Sequence, residues 1–356
     1  MSSSNVCNIS QCNDKQTGET LPEISGQPLA SDLISDEQAY VITFITYGVI
    51  AGVISVVGVA LNVVNIVVFI KMGFTDTTNI TLLSLSAADL GVLLMLVGFG
   101  VIYNPLFVRA VHGLESVGAL DYLPIGWPFV CFSRISGCLT AFLTLERFVC
   151  VAFPLKVKRL ITQRRTLVVN IFIYSLTIAC TVPVFFGFQI EVSLDPNLNQ
   201  TILRLVTSDQ SSQLENVSLT FNFIVHLTSF SVVTVFTVCL SQKFLQISEW
   251  RQTASVKSSS TASRDKRLVK LIILIAAIFI VCSLPGVVGI VVMLVVKDYN
   301  VTGLYRNTFI ASYAIFFALG SINSTVNIFI YLNMSSKFKL TFMSLFRSTF
   351  SQKLLY

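Results

Sequence analysis

Seven long apolar runs, separated by polar stretches, organise this chain of 356 residues. They are Val41–Ile70, Thr78–Val101, Pro128–Phe153, Leu167–Phe188, Val217–Leu240, Leu268–Val296 and Thr308–Leu332. Each reaches the roughly 20 residues that a helix needs to cross about 30 Å of hydrocarbon. Helices buried in a large soluble protein rarely run so far and are usually amphipathic. The pattern predicts an all-α membrane protein, a seven-transmembrane helix bundle. After the last run, "MSSKFKLTFMSLFRSTF" alternates basic and apolar residues. Phe338, Leu340 or Thr341, Phe342, Leu345 and Phe346 make one greasy face there. That predicts a short amphipathic C-terminal helix lying on the inner membrane surface. No Cys follows it to carry a palmitoyl anchor.

Three regions follow: a polar, acidic outer tail over 1–40, the membrane domain over 41–332, and an inner tail over 333–356. The tail over 1–40 has no apolar segment of the signal-peptide kind, so the first span is expected to direct insertion. The loop over 102–127 carries Asn-Pro and Gly-Trp-Pro turn signals, and the loop over 189–216 reads as polar.

Charge orients the bundle. With the N-terminus outside, seventeen of the 24 Lys+Arg fall on cytoplasmic ends and loops and five on outer segments. Cytoplasmic loops are enriched in Lys and Arg in this way. The net charge of +6 is therefore a topology signal and not the footprint of a nucleic-acid partner. Sequons at Asn8, Asn199, Asn216 and Asn300 fall in outer segments and are expected to carry glycans. Those at Asn79, Asn323 and Asn333 lie in spans or at their inner ends, out of reach. Cys7 and Cys12 are outside and can pair with each other, while the other six cysteines sit in or beside spans as small apolar packing. The two histidines, His112 and His226, lie far apart, and no paired-Cys zinc spacing, phosphate-cradling loop or nucleophile elbow is present. An enzyme is not expected.

What remains is a sparse set of polar residues inside the spans. Charges in hydrocarbon are costly and functional by default. Span one has Asn62 in "GVALNVV", span two has Asp89 in "LSLSAADL", and span three ends in Glu146–Arg147–Phe148 followed by "VAFPL". Span six has Pro285 in "FIVCSLP", and span seven has "NSTVNIFIY". This set, in this order, resembles the rhodopsin-like G-protein-coupled receptors over about residues 41–346. The resemblance implies a plasma-membrane receptor with a heterotrimeric G protein as inner partner and a peptide or small chemosensory molecule as outer ligand. Arg147 would contact the G protein and Glu146 would hold it at rest. Pro285 would kink helix six, whose inner half swings outward on activation. Asn327 and Tyr331 would form the helix-seven switch. Asp89, with Ser136, Asn323, Ser324 and Asn327, would form a sodium site, the one ion implied; all are oxygen-bearing side chains of the kind a hard cation prefers. Asp265, at the inner base of helix six, would restrain Arg147, the alternative being a solvated charge within "SRDKR".

Helix arithmetic adds one reading. At 100° per residue, Ser133, Ser136, Thr140 and Arg147 all fall within about 40° of Phe129. Such a polar stripe should face the bundle, although Ser136 and Thr140 can also bond back to their own helix. Phe129, Ser133, Arg134 and Ser283 are the candidate ligand-pocket residues.

Departures from the family are equally specific. Tyr122 occupies the approximate position of the helix-three cysteine, and 189–216 contains no Cys, so both partners of the usual outer disulfide are absent. Ser283 replaces the usual helix-six tryptophan, and Ile328 the usual helix-seven proline. Phe129 stands where amine receptors carry an aspartate, and 308–332 lacks the lysine that opsins need. The pattern is similar to divergent invertebrate chemosensory or neuropeptide-type receptors. Thirteen outer Asp+Glu against five Lys+Arg either solvate the loops or steer basic peptides. The alternative class, a transporter or channel, would predict internal repeats and broken helices, and none is visible.

Arg134 is the charge that the family does not explain. It lies about 140° from Phe129 around the helix and about 9 Å deep if that helix begins at Pro128. Two readings stand. It snorkels to the outer interface, or it faces helices four and five with Glu191, Asn222 or Thr228 as partner, sharing its site with a ligand carboxylate.

Overall fold

The computed structural model describes residues 32–74, 76–110, 118–195, 200–253 and 260–353. Seven helices are long and apolar enough to cross a membrane: α1 (Asp36–Met72), α2 (Thr77–Ile102), α3 (Gly118–Ala152), α4 (Gln163–Gly187), α5 (Ser211–Thr253), α6 (Ser260–Val295) and α7 (Arg306–Met334). An eighth helix, α8 (Ser336–Lys353), follows, and short helices Pro105–Ala110 and Pro154–Leu160 sit in two of the connections. The central helix is α3, which packs on α2, α4, α5 and α6, while α7 packs on α1, α2 and α6. The bundle is apolar outside as well as inside. Val53, Val56 and Val63 on α1 and Val168, Ile171 and Phe172 on α4 are exposed, as lipid-facing side chains must be.

Small residues let the helices close up. A Cβ on Gly58 would stand 2.2 Å from Thr325 Oγ1, and one on Gly91 would stand 2.5 Å from the Phe132 ring. The inner half of the core is a single cluster that includes Leu85, Ile135, Leu139, Leu143, Ile272 and Tyr331. Phe338 of α8 is fully buried in the same cluster, with Phe342 and Leu345 packed against it. Leu340 is exposed and Thr341 half-buried, so Thr341 and not Leu340 completes the packed face.

Several boundaries differ from the hydropathy pattern, each for a local reason. Helix α1 starts at Asp36, ahead of the apolar run, because Ser35 and Gln38 form a reciprocal capping box. Helix α3 is already formed at Gly118, the first residue described in that stretch and well before Pro128. Its first turns, Asp121–Gly126, are π-helical, and the Trp127 N–H bonds to the carbonyl of Tyr122, five residues back. That wider pairing carries Pro124 and Pro128 within a continuous helix, where an α-turn would meet the proline ring. The loop over 189–216 is not simply polar. It forms an antiparallel pair, β1 (Phe188–Asp195) with β2 (Gln200–Thr207), in the register Phe188 opposite Thr207 and Glu191 opposite Arg204.

The chain just before α1 closes over the outer end of α7. The Asp32 carboxylate accepts from the Asn307 N–H at 2.5 Å, from the Thr308 N–H at 3.3 Å and from the Thr308 hydroxyl at 2.5 Å. Burial, the largest single influence, pushes the Asp32 carboxyl up, but the bonds from Thr308, Asn307 and Leu33 together outweigh it and hold it below the usual carboxylate range. An anion placed there also meets the positive end of the α7 dipole.

Candidate functional site

The polar residues inside the bundle form three layers, and the outer and middle ones share Ser136 and Ser324. The middle layer is built on Asp89, which is fully buried. Its Oδ1 accepts from Ser136 Oγ at 2.8 Å and Ser324 Oγ at 3.0 Å, and its Oδ2 accepts from Asn327 Nδ2 at 2.8 Å. Beside it, Asn62 Nδ2 donates to the carbonyls of Ser324 at 2.9 Å and Gly58 at 3.0 Å, which fixes α1 to α7. Asn323 makes no bond to Asp89 and instead lines the cavity above, together with Ser136 and Ser324. Among the described residues Asp89 has no ion pair. A carboxylate taken out of water with only neutral donors lacks charge compensation. Its oxygen-rich surroundings fit a hard monovalent cation: Asp89, Ser136, Ser324 and Asn327 would hold the ion, with Asn323 facing it from the cavity.

The inner layer is the Glu146–Arg147 pair. Arg147 Nη2 lies 3.2 Å from Glu146 Oε1 and also donates to the Thr78 hydroxyl, while the Thr77 hydroxyl donates to Glu146. Both threonines open α2, whose first turn is capped by Asp76 accepting from the Thr78 N–H at 3.1 Å. The described restraint on Arg147 therefore runs to α2. Asp265 is on α6, but its side chain lies outside the described residues. Glu146 Oε2 and Arg147 Nε are buried with no partner, so the pair keeps unused hydrogen-bonding capacity. Nearby, Tyr331 is fully buried and packs edge-on against Phe69 at 5.2 Å and against Phe338 of α8 at 5.4 Å. Thr78→Val removes a hydroxyl bonded to Arg147 without changing side-chain bulk. On the receptor role that the sequence resemblance implies, it is expected to raise basal signalling severalfold at matched surface expression. Asp265→Ala should add to it if a second restraint to α6 exists. Basal signalling unchanged in the double variant would remove both restraints.

The outer layer is a cavity of about 100 Å³ between α3, α5, α6 and α7. All four pocket candidates, Phe129, Ser133, Arg134 and Ser283, line it. Phe129 closes one wall by packing on Phe317 at 4.1 Å. Arg134 is neither at the outer interface nor turned to α4. Because α3 is already helical at Gly118, Arg134 is not in its first turns, and its long side chain lines the space shared with α5, α6 and α7. None of its expected partners is used. Glu191 and Thr228 are exposed, and Asn222 donates to the Ser218 carbonyl at 2.8 Å. His226 and Tyr313 also line the cavity. Sequence reasoning missed both. His226 carried a signal, as the one histidine inside a span, whereas Tyr313 carried none.

Above the cavity, Tyr122 ties the outer ends together. Its hydroxyl donates to Glu215 Oε1 on α5 at 2.5 Å, and its ring packs on Phe188 of β1 at 5.2 Å and on Trp127 at 6.2 Å. Leu123, Trp127, Val184 and Phe188 form a small buried cluster beneath it. Cys131, Cys138, Cys180, Cys239 and Cys282 are free thiols. Cys7, Cys12, Asn8 and Asn199 lie outside the described residues.

Comparison with known proteins places this arrangement. The family description "7 transmembrane receptor (rhodopsin family)" matches residues 61–331. The chain is 24% identical over 308 residues to the Allatostatin-A receptor of Bombyx mori, covering 82% of this chain and 76% of that one. It is 23% identical over 311 residues to the FMRFamide receptor of Drosophila melanogaster, covering 86% of this chain and 54% of that one. It is 25% identical over 339 residues to the Growth hormone secretagogue receptor type 1 of Mustela putorius furo, covering 90% of this chain and 87% of that one. These relatives are receptors and not enzymes. With seven helices long and apolar enough to cross a membrane and a family match running from within α1 to Tyr331, the chain is a multi-pass membrane protein that belongs to the rhodopsin family of seven-transmembrane receptors.

Proposed function

We propose that this protein is a plasma-membrane receptor for an extracellular peptide and that it activates a heterotrimeric G protein inside the cell. The N-terminus faces out and the C-terminus faces in, in line with the Lys and Arg asymmetry of the loops. The observation that carries the reading is the continuity of the outer and middle polar layers with the inner segment of α7. Ser136 and Ser324 line the outer cavity and bond to Asp89, Asp89 bonds Asn327, and Asn327 opens the α7 segment that ends beside Tyr331 and α8. A ligand that shifts α3 against α7 would disturb this network and, through it, the inner end. Coupling of that kind requires the ligand to favour one of two arrangements of the bundle. The peptide assignment rests on the relatives, whose names refer to allatostatin and FMRFamide.

Sodium belongs to the same reading. Bound at Asp89, it would favour the resting arrangement, so ion and agonist would oppose each other by equal factors. The test of the whole reading is nucleotide exchange. Membranes containing the receptor, mixed with purified G-protein heterotrimers and a library of synthetic neuropeptides, should show peptide-dependent exchange. Ion or solute flux through the purified protein in vesicles, with no exchange for any peptide, would favour the transporter class instead.

A further inference from the structure

We propose that the outer cavity binds a carboxylate at the leading end of the ligand and that Arg134 is the group that reads it. This deepens the receptor reading, on which only its signalling arm rests.

The argument starts from what surrounds the guanidinium. Arg134 makes no hydrogen bond or ion pair among the described residues, and its Nε is buried without an acceptor. No Asp or Glu lines the cavity. The polar groups that do, among them Ser133, Ser283, Asn323, the Tyr313 hydroxyl and the His226 ring, bring donors as well as acceptors and no negative charge, and Tyr313 and His226 are close enough to Arg134 to interact with it electrostatically. Arg134 is half-buried, and a guanidinium drawn this far out of water with no protein counter-charge is costly in proportion to the hydration it gives up. The one nearby carboxylate, Asp89, already has its oxygens bonded by Ser136, Ser324 and Asn327. The missing anion is therefore external.

Shape narrows the chemistry. A guanidinium presents parallel N–H groups that match the two oxygens of a carboxylate. The cavity, at about 100 Å³, is smaller than the roughly 300–1,000 Å³ of pockets that enclose a whole ligand. It has room for an end group and little more. Phe129, Phe279 and Phe316 give the remaining wall an apolar surface that suits the carbon next to that end group. Two sources supply this chemistry, the free C-terminus of a peptide and a small organic acid, and the experiment separates them.

Purified receptor is heated with butyrate or benzoate, and separately with the isosteric butyramide or benzamide, at fixed ionic strength. The acids are expected to raise Tm and the amides to leave it unchanged, because a ligand stabilises only the state it binds. Arg134→Met fills the same space without the charge. It should raise the Tm of the ligand-free protein, since an unpaired cation is removed, and abolish the rise with acids. Arg134→Lys should keep the fold but weaken the acids about tenfold or more, the scale of one hydrogen bond. Equal shifts from acid and amide, no shift from either, or an acid shift that survives Arg134→Met would each overturn the proposal. For the source, peptides made as free acid and as C-terminal amide are compared with the small acids in the nucleotide-exchange assay. Greater potency of the acid peptides assigns the terminus, and activation by small acids alone assigns a metabolite-like ligand. Equal or greater potency of the amide would overturn the proposal while leaving the receptor reading intact. Acid binding without any exchange would do the reverse.

Discussion

Replacing Asp89 by alanine is expected to destabilise the receptor by about 3 kcal/mol, at the scale of roughly 1–3 kcal/mol for each buried group left unsatisfied. Three donors converge on this carboxylate, from Ser136, Ser324 and Asn327. The two serines can turn back to their own helix carbonyls, whereas the Asn327 amide, in the short turn that restarts α7, has no such alternative nearby. Asp89→Asn behaves differently. It keeps an acceptor for the serines, and the Asn327 amide can flip to offer its oxygen, so the charge is lost while the bonds survive. Its Tm in choline chloride is expected at or above that of the wild type. In sodium chloride at equal ionic strength the wild type should gain stability and Asp89→Asn should not. The same sodium shift in both proteins would exclude Asp89 as the ion's ligand.

The second large effect belongs to Tyr122. Tyr122→Ala removes a ring packed on Phe188 and Trp127 and strands Glu215, so the outer ends of α3 and α5 lose their shared contact with β1. The expected loss is about 3 kcal/mol, the lower end of values for truncating a large aromatic. Tyr122→Phe isolates the hydrogen bond and should cost about 1 kcal/mol. Because this tie is a phenol, a carboxylate and a set of rings, reducing agent should leave the Tm of the wild type unchanged. A large fall in Tm on reduction would show that sulfur chemistry, and not this cluster, holds the outer surface.

Much of this was legible along the chain, and the exceptions have physical causes. A membrane span declares itself because hydrocarbon tolerates little else for some 20 residues. Asp89 and the Glu146–Arg147 pair stand out for the same reason. Phe129 and Ser133 follow from helix phase, since residues near one angle on α3 share a face. Phase failed for Arg134 because it locates Cα and not the end of a long side chain. A guanidinium whose Cα lies off the stripe still reaches the cavity that Ser133 lines. The strand pair also has a signal in the sequence: Phe188, Ile190, Val192 and Leu194 alternate with polar residues, the period of a strand. Thr77, Thr78 and Tyr313 could not be found from their own segments. Their roles exist only because α2 begins beside Arg147 and because α7 turns Tyr313 towards α3.

Helix length carries a mechanical consequence. Helix α5 has 43 residues and α6 has 36, so both project beyond the bilayer. From Pro285 to Ser260 the rise of α6 is about 37 Å at about 1.5 Å per residue. A rotation of about 10° at that proline would sweep the far end through about 6 Å, while atoms one turn from the pivot, about 5 Å away, would travel only about 1 Å. Displacement grows with radius, so the geometry works as a gear: a sub-ångström to ångström adjustment beside Ser283, within the tolerance of packed side chains, becomes a movement on the scale of a whole side chain at the inner tip.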